Sequence, residues 1–177
     1  MKFLGIKVDN TLSWRSHIDV IEPKSSATYF ASRMFKPFIS LGILKMIYYA
    51  YFHAIMNHRI ILGGNSSHSN PIFKLHKRII TIQLGARATD SCREYFRELN
   101  ILPLQSQYTL ALVQFVIINK NQFGANSDIQ SINTRNNSHI HQQSYQKGTY
   151  YFGITVFICL PDHTRNYLII WNNLNQL

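Results

Sequence analysis

The chain is 177 residues long, 46% hydrophobic and 13% aromatic, enough for one domain or somewhat more with a real core. It carries 18 Lys and Arg against 8 Asp and Glu, a net charge of +10. Its two cysteines, Cys92 and Cys159, are too few for a disulfide framework, so the expected compartment is reducing and intracellular, cytoplasmic or nuclear.

Residues 1–20 carry Lys2, Lys7, Arg15 and acids, and do not read as a signal peptide. They open on MKFLGIKVDN, where Leu4, Ile6 and Val8 alternate and Asp9-Asn10 supplies turn chemistry, so a short β-strand or hairpin is expected. A helical pattern follows: Ser13 is a candidate cap, and Trp14, Ile18 and Ile21 recur at helical spacing until Pro23, where a break is expected. A second stretch puts Ala27, Phe30, Ala31 and Met34 on one stripe and stops at Pro37.

The most apolar segment, LGILKMIYYAYFHAIMNHRIIL (41–62), contains Lys45, His53, His58 and Arg59, too polar for a bilayer span. It reads as a buried helix with Leu44, Ile47, Tyr48, Tyr51 and Ile55 on a wide face. GGNSSHSN (63–70) is a loop by composition, and Asn70-Pro71 reads as N-cap and first-turn proline of the clearest helix in the chain. There Ile72, Leu75, Ile79 and Ile82 form the apolar stripe, Lys74, Lys77, Arg78 and Thr81 the other side, and Gly85 the C-terminal stop. Ser91-Cys92-Arg93-Glu94 has capping-box form and opens a short helix ending at Asn100. Beyond Pro103 another helix is expected over about 104–119, with Tyr108, Leu112, Phe115 and Val116 inward. Residues 121–146 lose all apolar period and read as a polar loop or disordered connector. TYYFGITVFICLP (149–161) is rich in β-branched and aromatic residues and reads as β-like, with a marginal helix after Arg165. The expected class is therefore mainly α, with an N-terminal strand or hairpin and a weak β-like segment near the C-terminus.

Charge placement says more than its sum. From residue 23 to residue 89 there is no acid, while Lys24, Arg33, Lys36, Lys45, Arg59, Lys74, Lys77, Arg78 and Arg87 all fall there. A positive field confined to one part of a chain suits a polyanion, because each neutralised phosphate releases counterions. An anionic membrane surface and a merely solvated basic face are the alternatives. Lys74, Lys77 and Arg78, at i, i+3 and i+4, make the best phosphate-tracking ridge.

Catalytic constellations are missing from the sequence. The eight carboxylates (Asp9, Asp19, Glu22, Asp90, Glu94, Glu98, Asp128 and Asp162) include no Asp-Asp or Asp-x-Asp pair, and Glu94 and Glu98 are flanked by Arg93 and Arg97 as on a solvated helix face. His139, His141, Cys159 and His163 match no compact zinc spacing. Phosphate-loop, dinucleotide and nucleophile-elbow motifs do not occur.

The residues KFLGIKVDNTLSWRSHI, HAIMNHRIILGGNSSHSNPIFKLHKRIITIQLGA, DSCREYFRELNILPL, NTRNN and YYFGITVFICLP resemble, in order and spacing, the C-terminal part of reverse transcriptases of LINE-type non-long-terminal-repeat retrotransposons. That resemblance implies a primer-grip-like strand at 1–12, thumb-like helices at 13–64, a helical connector at 65–120, a polar linker at 121–148 and a C-terminal segment at 149–177. Phe3, Leu4 and Gly5 would correspond to the primer grip, with Gly5 permitting close backbone approach to nucleic acid. The parent activity would be RNA-directed DNA synthesis with Mg2+. The metal-binding aspartates of the family lie before the Lys-aromatic-Leu-Gly strand, in a palm, so this chain by itself is expected to be inactive and to hold no cofactor. Its expected partners are the backbone of an RNA/DNA duplex and a palm-containing polymerase segment, and no membrane. Nucleic-acid contacts are expected from Phe3, Leu4, Gly5, Lys24, Arg33, Lys36, Lys45, Lys74, Lys77, Arg78 and Arg87. The sequence departs from the family pattern at Pro23, at Gly63 (where a tryptophan is usual) and at Ile158. The alternative is an inactive, element-derived helical protein or a protein-interaction domain using Tyr48, Tyr51 and Phe52.

Overall fold

The computed structural model describes residues 2–3, 6–7, 15–57, 60–63, 67–87, 90–123 and 148–174. The protein is mainly α. At the N-terminus β1 (Lys2–Phe3) pairs antiparallel with β2 (Ile6–Lys7), Lys2 opposite Lys7 and Phe3 opposite Ile6. The helices follow in order: α1 (Arg15–Phe35), α2 (Leu41–Ile47), a π-helical turn (Tyr48–His53), α3 (Ala54–Asn57), α4 (Ile60–Gly63), α5 (Asn70–Leu84), α6 (Cys92–Glu98), α7 (Leu104–Ile118), α8 (Thr149–Cys159) and α9 (Asp162–Leu174). The chain divides into two compact units, Met1–Tyr108 and Thr109–Leu177.

In the first unit α1 packs along α5. The expected break at Pro23 does not occur: α1 runs through it as one helix with Pro23 exposed. A proline inside a helix removes one backbone bond and costs about 3 kcal/mol, and here burial on both sides of it, Ile18 and Ile21 before and Ser25, Thr28 and Ser32 after, offsets that cost. The expected stripe of Ala27, Phe30, Ala31 and Met34 is also corrected. The helix buries its small polar side, Ser25 and Ser32 completely, and leaves Phe30 60% and Met34 70% exposed. Facing it, α5 brings the bulk, Ile72, Leu75, Ile79 and Ile80, so small side chains on α1 are what let the two backbones approach.

The segment after Pro37 buries Leu44, Tyr48, Phe52, Met56 and Ile60, every fourth residue, while Tyr51 is 62% exposed. In a regular α-helix a four-residue step overshoots one turn by roughly 40° and would drift off the core. The π-helical turn at Tyr48–His53, with its wider i→i+5 closure, takes up that drift. Tyr48 and Phe52 are therefore core residues.

Helix α5 starts one residue earlier than the Asn70-Pro71 reading, with Ser69 as N-cap and Pro71 in the first turn. Its end is the expected one: Gly85 has φ +71°, its N–H bonds Ile82 O at 3.1 Å, and the Ala86 N–H bonds Thr81 O at 3.1 Å, the paired bonds of a left-handed C-terminal cap. Thr81, expected outward, is buried, its hydroxyl donating to Lys77 O at 2.8 Å and lying 3.6 Å from Cys92 Sγ. Helix α6 ends on the same device with Asn100 at φ 54°, Asn100 N–H bonding Arg97 O and Ile101 N–H bonding Phe96 O.

In the second unit Val113 and Val116 of α7 pack with Phe123, Ile154 and Phe157. TYYFGITVFIC is α-helical, which overturns the β-like reading of 149–161. Its residues are apolar on all sides, so no period distinguishes helix from strand, and an isolated strand would leave its backbone groups without partners. As a helix it satisfies them internally and presents Gly153, Ile154 and Phe157 to α7. Leu160 is extended at ψ 142° because Pro161 follows it. The expected marginal helix after Arg165 is α9, beginning at Asp162. The polar segment expected at 121–148 lies mostly outside the described residues.

Candidate nucleic-acid interface

Among the candidate contacts, three sit on α5. Lys74 and Arg78 are exposed, and Lys77 is half-buried with its ammonium 5.7 Å from the Phe73 ring centroid, a cation–π contact that steadies its stem. The opposite side of the helix is fixed in the core, since Ile79, Ile80 and His76 have no exposed surface. His76 is enclosed by aromatic rings: Tyr48 stacks on it at 5.6 Å, while Phe52 and Phe96 lie at 4.9 Å. Gln107 Nε2 donates to Leu102 O at 2.7 Å and to the Tyr48 hydroxyl at 3.4 Å, and that hydroxyl lies 2.9 Å from His76 Nε2. Burial in this cage, with a smaller contribution from nearby His53, pushes the His76 pKa down to about 3, so its ring is neutral near pH 7. The buried side fixes the helix so that Lys74, Lys77 and Arg78 share its other face.

The other basic candidates are placed differently. Lys36 turns inward, and its Nζ donates to Ile82 O at the C-terminal end of α5. A cation there adds a second donor to a carbonyl that already accepts the Gly85 N–H, and it complements the helix dipole. It is a capping group first, which sequence spacing did not show because the pair is 46 residues apart. Lys45 is half-buried on α2, and Lys24 and Arg33 are exposed on α1. Arg87 is exposed, and its backbone N–H donates to Asp90 Oδ2 at 3.1 Å. Phe3 stands in β1, while Leu4 and Gly5 lie outside the described residues. So α5 brings three candidates together, and Lys36 joins α1 to that helix.

Among the described residues no three His, Cys, Asp or Glu side chains converge, and Asp90 is occupied by the Arg87 N–H and the Tyr95 hydroxyl, the latter at 3.0 Å. His139 and His141 fall outside the described residues, and Cys159 and His163 are exposed. Among the described residues no helix is long and apolar enough to cross a membrane.

Two features escaped the sequence reading. Arg93 and Arg97, read as flanks of a solvated face, line a groove of about 470 Å³ with Asn100 and Pro103. Phe30 and Phe38, 60% and 83% exposed, are outward although apolar. Only the position of α5 tells which side of α1 is covered. No family model, curated protein or solved structure matches the chain.

Proposed function

We propose that the chain holds nucleic acid by its backbone, as the thumb and connector portion of a retrotransposon reverse transcriptase, without itself carrying the polymerising centre. The observation that carries this reading is the outward ridge of Lys74, Lys77 and Arg78 on a helix anchored in the core, inside a 67-residue stretch (23–89) free of acids. Such a ridge attracts phosphate irrespective of base sequence, because Lys and Arg on one helix face meet charge and not base edges. A palm-containing polymerase segment is the protein partner this reading implies, and duplex RNA/DNA its ligand.

The test is a fluorescence-anisotropy titration of a labelled RNA–DNA duplex against the intact chain at low salt, repeated with the K74E/K77E/R78E variant. Salt-sensitive, sequence-independent binding that the variant loses is the expected result. An intact, folded chain that leaves the duplex unbound at low salt overturns the reading. A variant that binds like the parent moves the interface elsewhere.

A further inference from the structure

The outward side of α1 combines exposed rings with positive charge. Phe30 is 60% exposed, Met34 70% and Phe38 83%, and exposed Arg33 lies beside them at i+3 from Phe30. Phe30 and Met34 are one turn apart. Beyond Phe35 the chain leaves α1 in a turn, with Lys36 N–H bonding Ser32 O and Phe38 N–H bonding Phe35 O, so Phe38 stands just past the C-terminal end of the helix that carries Phe30 and Met34. The Phe30 ring is steadied edge-on by Tyr29, with centroids 5.4 Å apart and planes at 71°. Rings this exposed gain nothing for the fold where they stand, and contiguous apolar surface rimmed by polar residues marks a binding site.

Charge decides between occupants. The acids of α1, Asp19 and Glu22, lie two turns or more before Phe30, and none follows until Asp90. A flat aromatic face beside a guanidinium, in a region with cations and no carboxylates, is complementary to a polyanion that carries its own aromatic faces. In a duplex those faces are stacked on one another and hidden. In an unpaired strand each base offers a face, and stacking on a protein ring is indifferent to which base it is. Phe30 lies inside α1 and Phe38 in the turn beyond its end, eight residues on, so they would take different bases of one strand.

Resting on the nucleic-acid reading above, we propose that Phe30 and Phe38, with Arg33 at the phosphates, form a platform for an unpaired RNA or DNA strand, separate in chemistry from the duplex-backbone ridge of α5. The platform adds a preference for single strands that a ridge of lysines cannot supply.

The experiment measures the affinity of the intact chain for a labelled single-stranded RNA and for the hybrid duplex of the same sequence. It compares the parent with F30A/F38A, F30W/F38W and K74E/K77E/R78E. Both phenylalanines are exposed, so their replacement should leave the circular dichroism spectrum and thermal midpoint nearly unchanged. The expected result is a loss of tenfold or more in single-strand affinity for F30A/F38A, retention in F30W/F38W, and little change for duplex. Single-strand binding by F30A/F38A at parental strength overturns the platform and leaves the α5 ridge standing. An equal loss for both strand forms also overturns it, because stacking on unpaired bases would not affect duplex. A change confined to self-association in sedimentation velocity would show that the face is a protein interface and overturn it too. A ridge variant with intact duplex binding, beside a phenylalanine variant that loses single strands, defeats the ridge alone.

Discussion

The Tyr48 hydroxyl and His76 Nε2 lie 2.9 Å apart, inside a core where neither residue has any exposed surface. Gln107 Nε2 donates to the same hydroxyl oxygen, which leaves the phenolic hydrogen for His76 and places the imidazole proton on Nδ1, an atom with no hydrogen-bond partner. This chain of three polar groups joins the π-helical turn, α5 and the start of α7. It holds the basic helix by groups that must stay neutral.

Acid should therefore weaken the fold in a definite window. The folded His76 takes a proton only near pH 3, whereas the unfolded residue takes one near its ordinary value of about 6.5. Between those values the unfolded state binds more protons, so stability falls as pH falls, by about 1.4 kcal/mol per pH unit, and levels off below pH 3. Above pH 6.5 the residue contributes no slope. Urea unfolding from pH 8 to pH 4 checks this against His76→Gln, in which that part of the slope should vanish. The same slope in both proteins would assign the acid sensitivity to other groups.

Gly85 should tolerate no side chain. Its φ of +71° lies in the left-handed region, and a Cβ placed there would stand 2.6 Å from Lys36 Nζ. The lysine end can move, so the backbone conformation dominates, at roughly 1–2 kcal/mol. Gly85→Ala should lower the urea midpoint accordingly. The double variant with Lys36→Met should show coupling, because a Cβ at position 85 displaces the ammonium from Ile82 O. Strict additivity would mean that a side chain at position 85 leaves the lysine cap undisturbed.

Pro23 makes the opposite case. It is exposed within α1, and alanine at that position would restore a backbone donor and a better helix former without disturbing the buried side. Pro23→Ala should raise stability by about 1–3 kcal/mol, a rise of several degrees in the thermal midpoint for a chain of this size. An unchanged midpoint would mean that the helix is bent around the proline and cannot use the restored bond.

What the sequence disclosed follows from which forces act locally. The cap at Gly85, the inward stripe of Ile72, Leu75 and Ile79, and the outward Lys74 and Arg78 were all legible, because caps and 3.6-residue periods are written into neighbouring residues. The burial of Ser25, Thr28 and Ser32 was not, since a seam of small residues makes sense only against the bulk of α5. The buried fourth-residue series from Leu44 to Ile60 needed the π-helical turn, which has no compositional signature. Helix α8 was misread because its β-branched and aromatic content outweighed the missing alternation. Within the candidate site, the ridge was readable and the inward turn of Lys36 was not.

Gly153 accounts for part of that helix and should be sensitive to size. A Cβ there would meet Val116 Cγ2 at 2.9 Å and the Leu112 carbonyl oxygen at 3.6 Å. Glycine inside a helix normally costs 0.5–1 kcal/mol relative to alanine, so it is kept where α8 and α7 must approach closely. Gly153→Ala sets that propensity gain against a shift of a valine methyl, and a change within about 1 kcal/mol is expected. Gly153→Leu cannot be absorbed in this way, and should destabilise by about 1–3 kcal/mol or more through overpacking.

The ridge of α5 makes a prediction about salt that distinguishes charge from shape. Each cation engaged with phosphate contributes close to one unit to the slope of log affinity against log salt. Replacing Lys74, Lys77 and Arg78 by Gln keeps helix propensity and an unbranched polar side chain while removing three charges. The slope for an RNA–DNA duplex should become shallower by roughly 2 to 3, with affinity lost evenly across duplex sequences. Gln at position 77 also loses the contact over Phe73, so the single variants Lys74→Gln and Arg78→Gln, each expected to lower the slope by about 1, separate phosphate binding from packing. A weaker affinity at unchanged slope would show that these side chains shape the surface without touching phosphate.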